Sequence, residues 1–300
     1  MNLLPLVGQG RSHNYVEDLR WPSPLRERPW PRIPPAKVRP GTQMSVALKP
    51  FWLALQFLTR LPTPALDPQP ADLGRSVLAY PLVGLILGLV VVLVGIALAA
   101  IPGAPPLLVA ALVLALWVAL TGALHLDGLA DTMDAWVGSH QDPERAQAIM
   151  KDPTSGPMAV AALILVLLIK FAALVTVVET GAWIALLVAI VLGRAALTGL
   201  FLLVPYVREQ GLGAEMAAHL PRSPAQMVLV ATGVLILLVA LVTGVWGLIL
   251  GLAVALALVF AIAAFLRRWL GGFTGDTAGA ALELVEMMAI TVMALVLALH

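Results

Sequence analysis

The sequence predicts an all-α, polytopic integral membrane protein, a helical bundle of about seven transmembrane helices preceded by a short N-terminal interfacial or re-entrant helix. Three observations carry this expectation. Hydrophobic residues make up 60% and charged residues 12% of the 300, with a mean hydropathy of +0.95, against about 25% charged residues in soluble domains. Apolar runs of about 20 residues, the length that crosses a bilayer as a helix, recur along the chain. Lys and Arg collect in alternate connections between those runs, as in membrane proteins of fixed orientation. Cysteine is absent, which excludes disulfides, a thiolate nucleophile and cysteine metal sites.

Residues 1–43 are of a different kind. They hold eight prolines and seven Lys/Arg against three Asp/Glu, so they can form neither a long helix nor a core. No apolar h-region follows Met1, which argues against a secretory signal. The expectation is a disordered Pro-rich leader, or translated upstream sequence with Met44 as the start; a basic tail on an anionic membrane surface is the functional alternative. Residues 44–300 form the expected transmembrane domain.

Phe51 to Leu58 is apolar but too short to span, and Pro62, Thr63 and Pro64 break it. Spans follow near 78–100, 106–125, 158–178, 182–204, 226–243, 245–266 and 280–299, the fifth and sixth abutting at Thr243 and Gly244. The connections at Ile101 to Pro105, Glu179 to Gly181 and Gly244 carry no Lys or Arg. The opposite side carries Arg60, Arg75, Arg145, Lys151, Arg208, Arg222, Arg267 and Arg268, and the positive-inside rule makes it cytoplasmic. Lys170 and Arg194 fall inside spans, where each charge costs about 2.5–3.5 kcal/mol on an insertion scale and requires an anionic partner. Snorkelling is harder from mid-span. The planar fork of Arg194 suits a phosphate and makes it a candidate substrate-binding residue.

The run His125, Leu126, Asp127, Gly128, Leu129, Ala130, Asp131, Thr132, Met133, Asp134 concentrates three carboxylates on the cytoplasmic side. On a helix, Asp127, Asp131 and Asp134 lie within roughly 60° of one another. Carboxylates so placed repel unless a cation joins them, and hard cations such as Mg²⁺ take carboxylate oxygens while keeping positions for phosphates. An acidic helix end without a ligand is the plain alternative. His125 points away from Asp127 and is expected to be positional. Lys151 and Asp152, followed by Gly156, offer a phosphate partner, another hard ligand and a close backbone approach. The glycine-rich turn from Gly271 to Gly279, with Thr274, Gly275 and Asp276, opens the last span as an anion site, and Glu283 and Glu286 lie deeper in that span. A cytoplasm-facing site of metal, phosphate-binding groups and acids suits phosphoryl transfer from a nucleotide-activated molecule to an alcohol. Spacing does not sort the aspartates into ligand and base.

The segments FWLALQFLTRLPTP at 51–64, RSVLAYPLVGLILG at 75–88, LHLDGLADTMDAWVG at 124–138, IMKDPTSGP at 149–157, GRAA at 193–196, PYVREQGLG at 205–213 and GGFTGDTAGA at 271–280 closely resemble the cobalamin synthase family in its own order. The resemblance implies an inner-membrane, multi-pass transferase that joins adenosylcobinamide-GDP to α-ribazole or its 5′-phosphate. It implies release of GMP, formation of adenosylcobalamin or its 5′-phosphate, and Mg²⁺ dependence. It places the acidic motif on Asp127, Asp131 and Asp134 as catalytic and metal-binding residues, and the lysine-aspartate pair on Lys151 and Asp152. Substrate contacts fall on Gly156, Thr274, Gly275 and Asp276, with Arg208 in the PYVREQGLG segment. The partners expected are these small molecules and membrane lipid, with no nucleic acid, and a homo-oligomer is compatible. Ala135, Trp136, Ser139, His140 and Pro153 depart from the family pattern and are expected to tune loop shape. Two rivals are weaker: a CDP-alcohol phosphotransferase wants a different aspartate spacing, and an ion-coupled transporter wants inverted repeats that the chain lacks.

Overall fold

A computed structural model describes residues 48–299; the expectations for 1–43 lie outside these residues. Among the described residues the regular structure is helical, with one isolated β-bridge. The chain runs α1 (Lys49–Leu58), α2 (Pro70–Ser76), a 3₁₀ turn (Val77–Ala79), α3 (Tyr80–Ala99), α4 (Pro106–Thr121), α5 (Leu124–Gly138), α6 (Pro143–Ile149), α7 (Pro157–Thr180), α8 (Trp183–Leu203), α9 (Leu212–Ala218), α10 (Arg222–Thr243), α11 (Gly247–Trp269) and α12 (Gly275–Leu297). Proline opens α2, α4, α6 and α7, where its missing N–H has no helical acceptor to lose, and left-handed Gly122, Gly181 and Gly244 close α4, α7 and α10.

Six helices are long and apolar enough to cross a membrane, and α4 with α5, bent by 86°, makes a candidate seventh. This agrees with the expected count, with one refinement. The apolar run at 106–125 does not continue straight: Gly122 and Ala123 both take left-handed conformations, and α5 leaves α4 at a steep angle. The acidic run is thus a separate helix, turned sharply from the apolar α4 and packed on α12 and α7. The 10-residue α1 is too short to span and buries Leu53, Ala54, Leu55 and Leu58 against α2 and α3.

The bundle is organised around α8 and α12. In α8, 78% of the apolar window is buried, against 17% in the peripheral α10. Helix α8 packs on α3 and α12, and α12 packs in turn on α5, α7 and α11. Small residues set the closest seam. A Cβ at Gly128 of α5 would meet the Asp276 carbonyl oxygen at 2.7 Å, and one at Gly279 of α12 would meet the His125 Cα at 3.2 Å. Backbone therefore lies on backbone where α5 crosses the start of α12. The consequence is that Asp127 and Asp131 share one corner with Asp276.

Candidate active site

Four pieces of chain converge at the basic end of the bundle: α5, the α6–α7 loop, the segment after α8 and the first turn of α12. Thr274 caps α12, accepting from the Thr277 N–H at 3.2 Å while its own N–H donates to Thr277 Oγ1 at 2.9 Å. A short parallel bridge ties the segment after α8 to this turn: Val207 N–H donates to the Phe273 carbonyl at 3.0 Å and Phe273 N–H to the Pro205 carbonyl at 2.9 Å. The bridge holds Arg208 over α12, where its guanidinium pairs with Asp276.

The three aspartates of α5 do not share one role. Asp134 accepts the N–H groups of Gly156 and, at 2.9 Å, Ala159, so it caps α7, whose own N-cap residue Gly156 has no side chain to offer. A Cβ at Gly156 would meet Asp134 Oδ1 at 2.8 Å, which explains the glycine. Asp127 is exposed and Asp131 partly exposed, and neither receives a hydrogen bond from a protein donor among the described residues. Burial, then the carboxylates of Asp127, Asp276 and Asp134, push Asp131 up to about 6, with Arg208 opposing them.

Of the other expected site residues, Thr274, Gly275 and Asp276 join this corner together with Arg208. Gly275 opens α12 with free space over its backbone. Lys151 and Asp152 lie exposed on the α6–α7 loop. Asp152 accepts from the Thr154 N–H at 2.9 Å and hydroxyl at 2.6 Å, which holds its carboxyl below the usual range and shapes the loop. Arg194 sits elsewhere, fully buried, with its guanidinium on Glu286. Lys170 bonds Glu283 at 2.5 Å and Glu286 at 2.7 Å and lies 4.3 Å from the centre of the Trp117 ring. The two in-span cations have the anionic partners that the sequence requires. Those partners are glutamates of α12, so Arg194 is spent inside the bundle, and the four charges pair with one another instead of lining a path.

A cavity of about 350 Å³ adjoins the acidic corner and is lined in part by Asp127, Arg208 and Asp276. A wider cleft of about 540 Å³ shares Phe201, Tyr206 and Arg208 with it and adds Arg222 and Arg267. Those two arginines also donate to the last carbonyls of α8, Arg222 to Leu202 at 2.6 Å and Arg267 to Leu203. Tyr206 was not singled out by the sequence; the signal available was an aromatic beside Arg208.

Among the described residues no three His, Asp or Glu side chains converge as a complete metal-ligand set. The donor chemistry still fits a hard cation: oxygen ligands only, an excess of negative charge, and two carboxylates free of protein donors. Mg²⁺ is usually held by one or two carboxylates, with water and substrate phosphates completing its shell. Asp127 and Asp131 are the residues that meet that description.

A family model described as cobalamin-5-phosphate synthase matches residues 50–294. The chain belongs to this family. Among similar proteins are the adenosylcobinamide-GDP ribazoletransferases of Stutzerimonas stutzeri (strain A1501), 54% identical over 248 residues, and of Pseudomonas putida (strain W619), 52% identical over 247. In both cases 82% of this chain and 98% of the relative are covered. No solved structure matches. As a cobalamin-5-phosphate synthase family member, the chain is a transferase of cobalamin biosynthesis, and its acidic corner falls wholly within the matched residues.

Proposed function

We propose that the chain joins adenosylcobinamide-GDP to α-ribazole or α-ribazole 5′-phosphate, releases GMP, and yields adenosylcobalamin or its 5′-phosphate. The observation that carries this reading is the acidic corner in a family member: Asp127, Asp131 and Asp276 face one cation, Arg208, beside two cavities. A hydroxyl oxygen of the acceptor's ribose forms a bond to the phosphorus nearer the cobinamide. The bond from that phosphorus to the bridging oxygen breaks, and GMP departs with the oxygen. The hydroxyl proton passes to a carboxylate of this corner. Arg208 orients the diphosphate by exchanging part of its pairing with Asp276 for phosphate oxygens. Asp134 and Thr274 act one step back, fixing the starts of α7 and α12. Mg²⁺, held by Asp127 and Asp131, would supply positive charge for the diphosphate and the departing phosphate.

The basic end of the bundle carries Arg60, Arg75, Arg208, Arg222 and Arg267, which supports a cytoplasm-facing site in the bacterial inner membrane. Purified protein with Mg²⁺ is expected to release GMP from adenosylcobinamide-GDP only when α-ribazole or its 5′-phosphate is added. GMP release without any acceptor would mark a hydrolase and overturn the proposed transfer.

A further inference from the structure

Helix α8 ends against two arginines from other spans. Arg222, the first residue of α10, donates to the Leu202 carbonyl at 2.6 Å, and Arg267, in the last turn of α11, donates to the Leu203 carbonyl. Those carbonyls are consecutive, so both guanidinium groups converge on the last turn of α8. Capping accounts for a cation at this place, since the final carbonyls of a helix carry partial negative charge. Yet a guanidinium has five N–H donors, and each of these gives one bond to the protein. Both arginines are exposed, and neither is paired with a carboxylate among the described residues. Both line the 540 Å³ cleft, whose walls hold a third arginine, Arg208, and no Asp or Glu. Arg208 is already paired with Asp276, so the uncompensated positive charge of the cleft rests on Arg222 and Arg267. The helices that carry them are long and apolar enough to cross a membrane. Ala264 and Phe260 lie within about 60° of Arg267 around α11 and are exposed, and Val230 is exposed about two turns along α10 from Arg222.

We propose that Arg222 and Arg267 bind the headgroup phosphate of an acidic phospholipid of the surrounding bilayer, whose acyl chains run along the outer faces of α10 and α11. Basic pockets between spans take such headgroups, and guanidinium groups hold phosphate oxygens through charge-assisted hydrogen bonds. The cleft offers no carboxylate to the ammonium group of a zwitterionic lipid, which favours the acidic class. A soluble anion would use the two arginines and leave the apolar stripe beneath them idle. The lipid site stands apart from the proposed transfer and holds whether or not that transfer does.

The test is native mass spectrometry of the full chain released from detergent, titrated with dioleoylphosphatidylglycerol and, separately, with dioleoylphosphatidylcholine. The wild type is expected to bind phosphatidylglycerol about tenfold more tightly than phosphatidylcholine. Arg222→Gln combined with Arg267→Gln should abolish that preference. Arg268→Gln deletes an exposed charge next to Arg267 but outside the cleft, and should change the preference by less than about twofold. The double variant also removes two caps from α8, so Ala218→Glu supplies a second measurement. It keeps both caps, puts an anion into the cleft from an exposed position of its wall, and is expected to weaken phosphatidylglycerol binding by about tenfold. If the double variant fails to fold, Ala218→Glu decides. Equal affinity of the wild type for the two lipids, a preference kept by either folded cleft variant, or an equal loss in Arg268→Gln overturns the site. Displacement of phosphatidylglycerol by equimolar inorganic phosphate or adenosylcobinamide-GDP also overturns it, and would assign the cleft to a soluble anion or to the donor.

Discussion

In the middle of α7, α8 and α12, Lys170 and Arg194 are matched by Glu283 and Glu286, all buried and in direct contact. At the start of α12, Asp276 joins Asp127 and Asp131 around the cation Arg208, all of them partly or fully exposed. The first group balances its charge internally, as a low-dielectric interior requires, since each unpaired ion there carries a heavy desolvation penalty. The second leaves negative charge over, which adds to burial in raising the proton affinity of Asp131. A charge-balanced group holds helices in register, whereas an unbalanced one at the rim would, on the proposed function, receive a cation and an anionic substrate. One helix, α12, carries an acid of each kind.

The comparison breaks if the interior group can lose a member cheaply. Glu286 meets both cations, so Glu286→Gln is expected to cost about 3–5 kcal/mol, read as a large fall in thermal unfolding temperature in nanodiscs. Replacing Lys170 and Glu283 together, as Lys170→Met with Glu283→Leu, removes one charge of each sign and is expected to recover most of what Lys170→Met alone loses. A double variant no more stable than that single one would contradict the balance argument. Asp134 tests the boundary between the two regions. It belongs to the acidic run by sequence but caps α7 in the structure, so Asp134→Ala is expected to lower stability by about 1 kcal/mol, measured by the same melts.

The smallest effect is a pH dependence. Asp131 lies near 6 in the folded protein, above the ordinary 3.8, so the fold disfavours its ionised form. The resulting stability contribution is fully present below about pH 4 and is lost as pH rises through about 6. Asp131→Asn should therefore be slightly more stable than the wild type near neutral pH, and that advantage should vanish on acidification. The Mg²⁺ concentration for half-maximal activity should rise as pH falls through about 6, because protons and metal compete for one carboxylate. A flat profile in both measurements would place Asp131 outside the charge-crowded corner.

The helical class, the spans and the basic end follow from hydropathy and the Lys/Arg pattern because these are averages over many residues. The need of Lys170 and Arg194 for anions was equally legible, since a mid-span charge is expensive wherever it sits. Which anions was not. Glu286 stands 92 residues from Arg194, Glu283 and Glu286 stand 113 and 116 residues from Lys170, and only helix packing joins them. The bend at Gly122 and Ala123 was hidden because Ala123 adopts a left-handed conformation that its residue type disfavours. Asp134 looked equivalent to Asp127 and Asp131 because helical spacing reports a shared face, not the backbone N–H groups that face meets. The short amphipathic α2, α6 and α9 fall below the length at which periodicity speaks. The cavity beside the acidic corner needed α5, α8 and α12 in place before its lining could be recognised as one surface.

The most direct test of the claim that the unbalanced corner performs the chemistry is Mg²⁺-dependent GMP release by Asp131→Asn in nanodiscs, with adenosylcobinamide-GDP and α-ribazole 5′-phosphate saturating. The expected result is a rate lower by about 100-fold or more, with unfolding temperature equal to or above that of the wild type. Wild-type turnover by the folded variant would contradict the account.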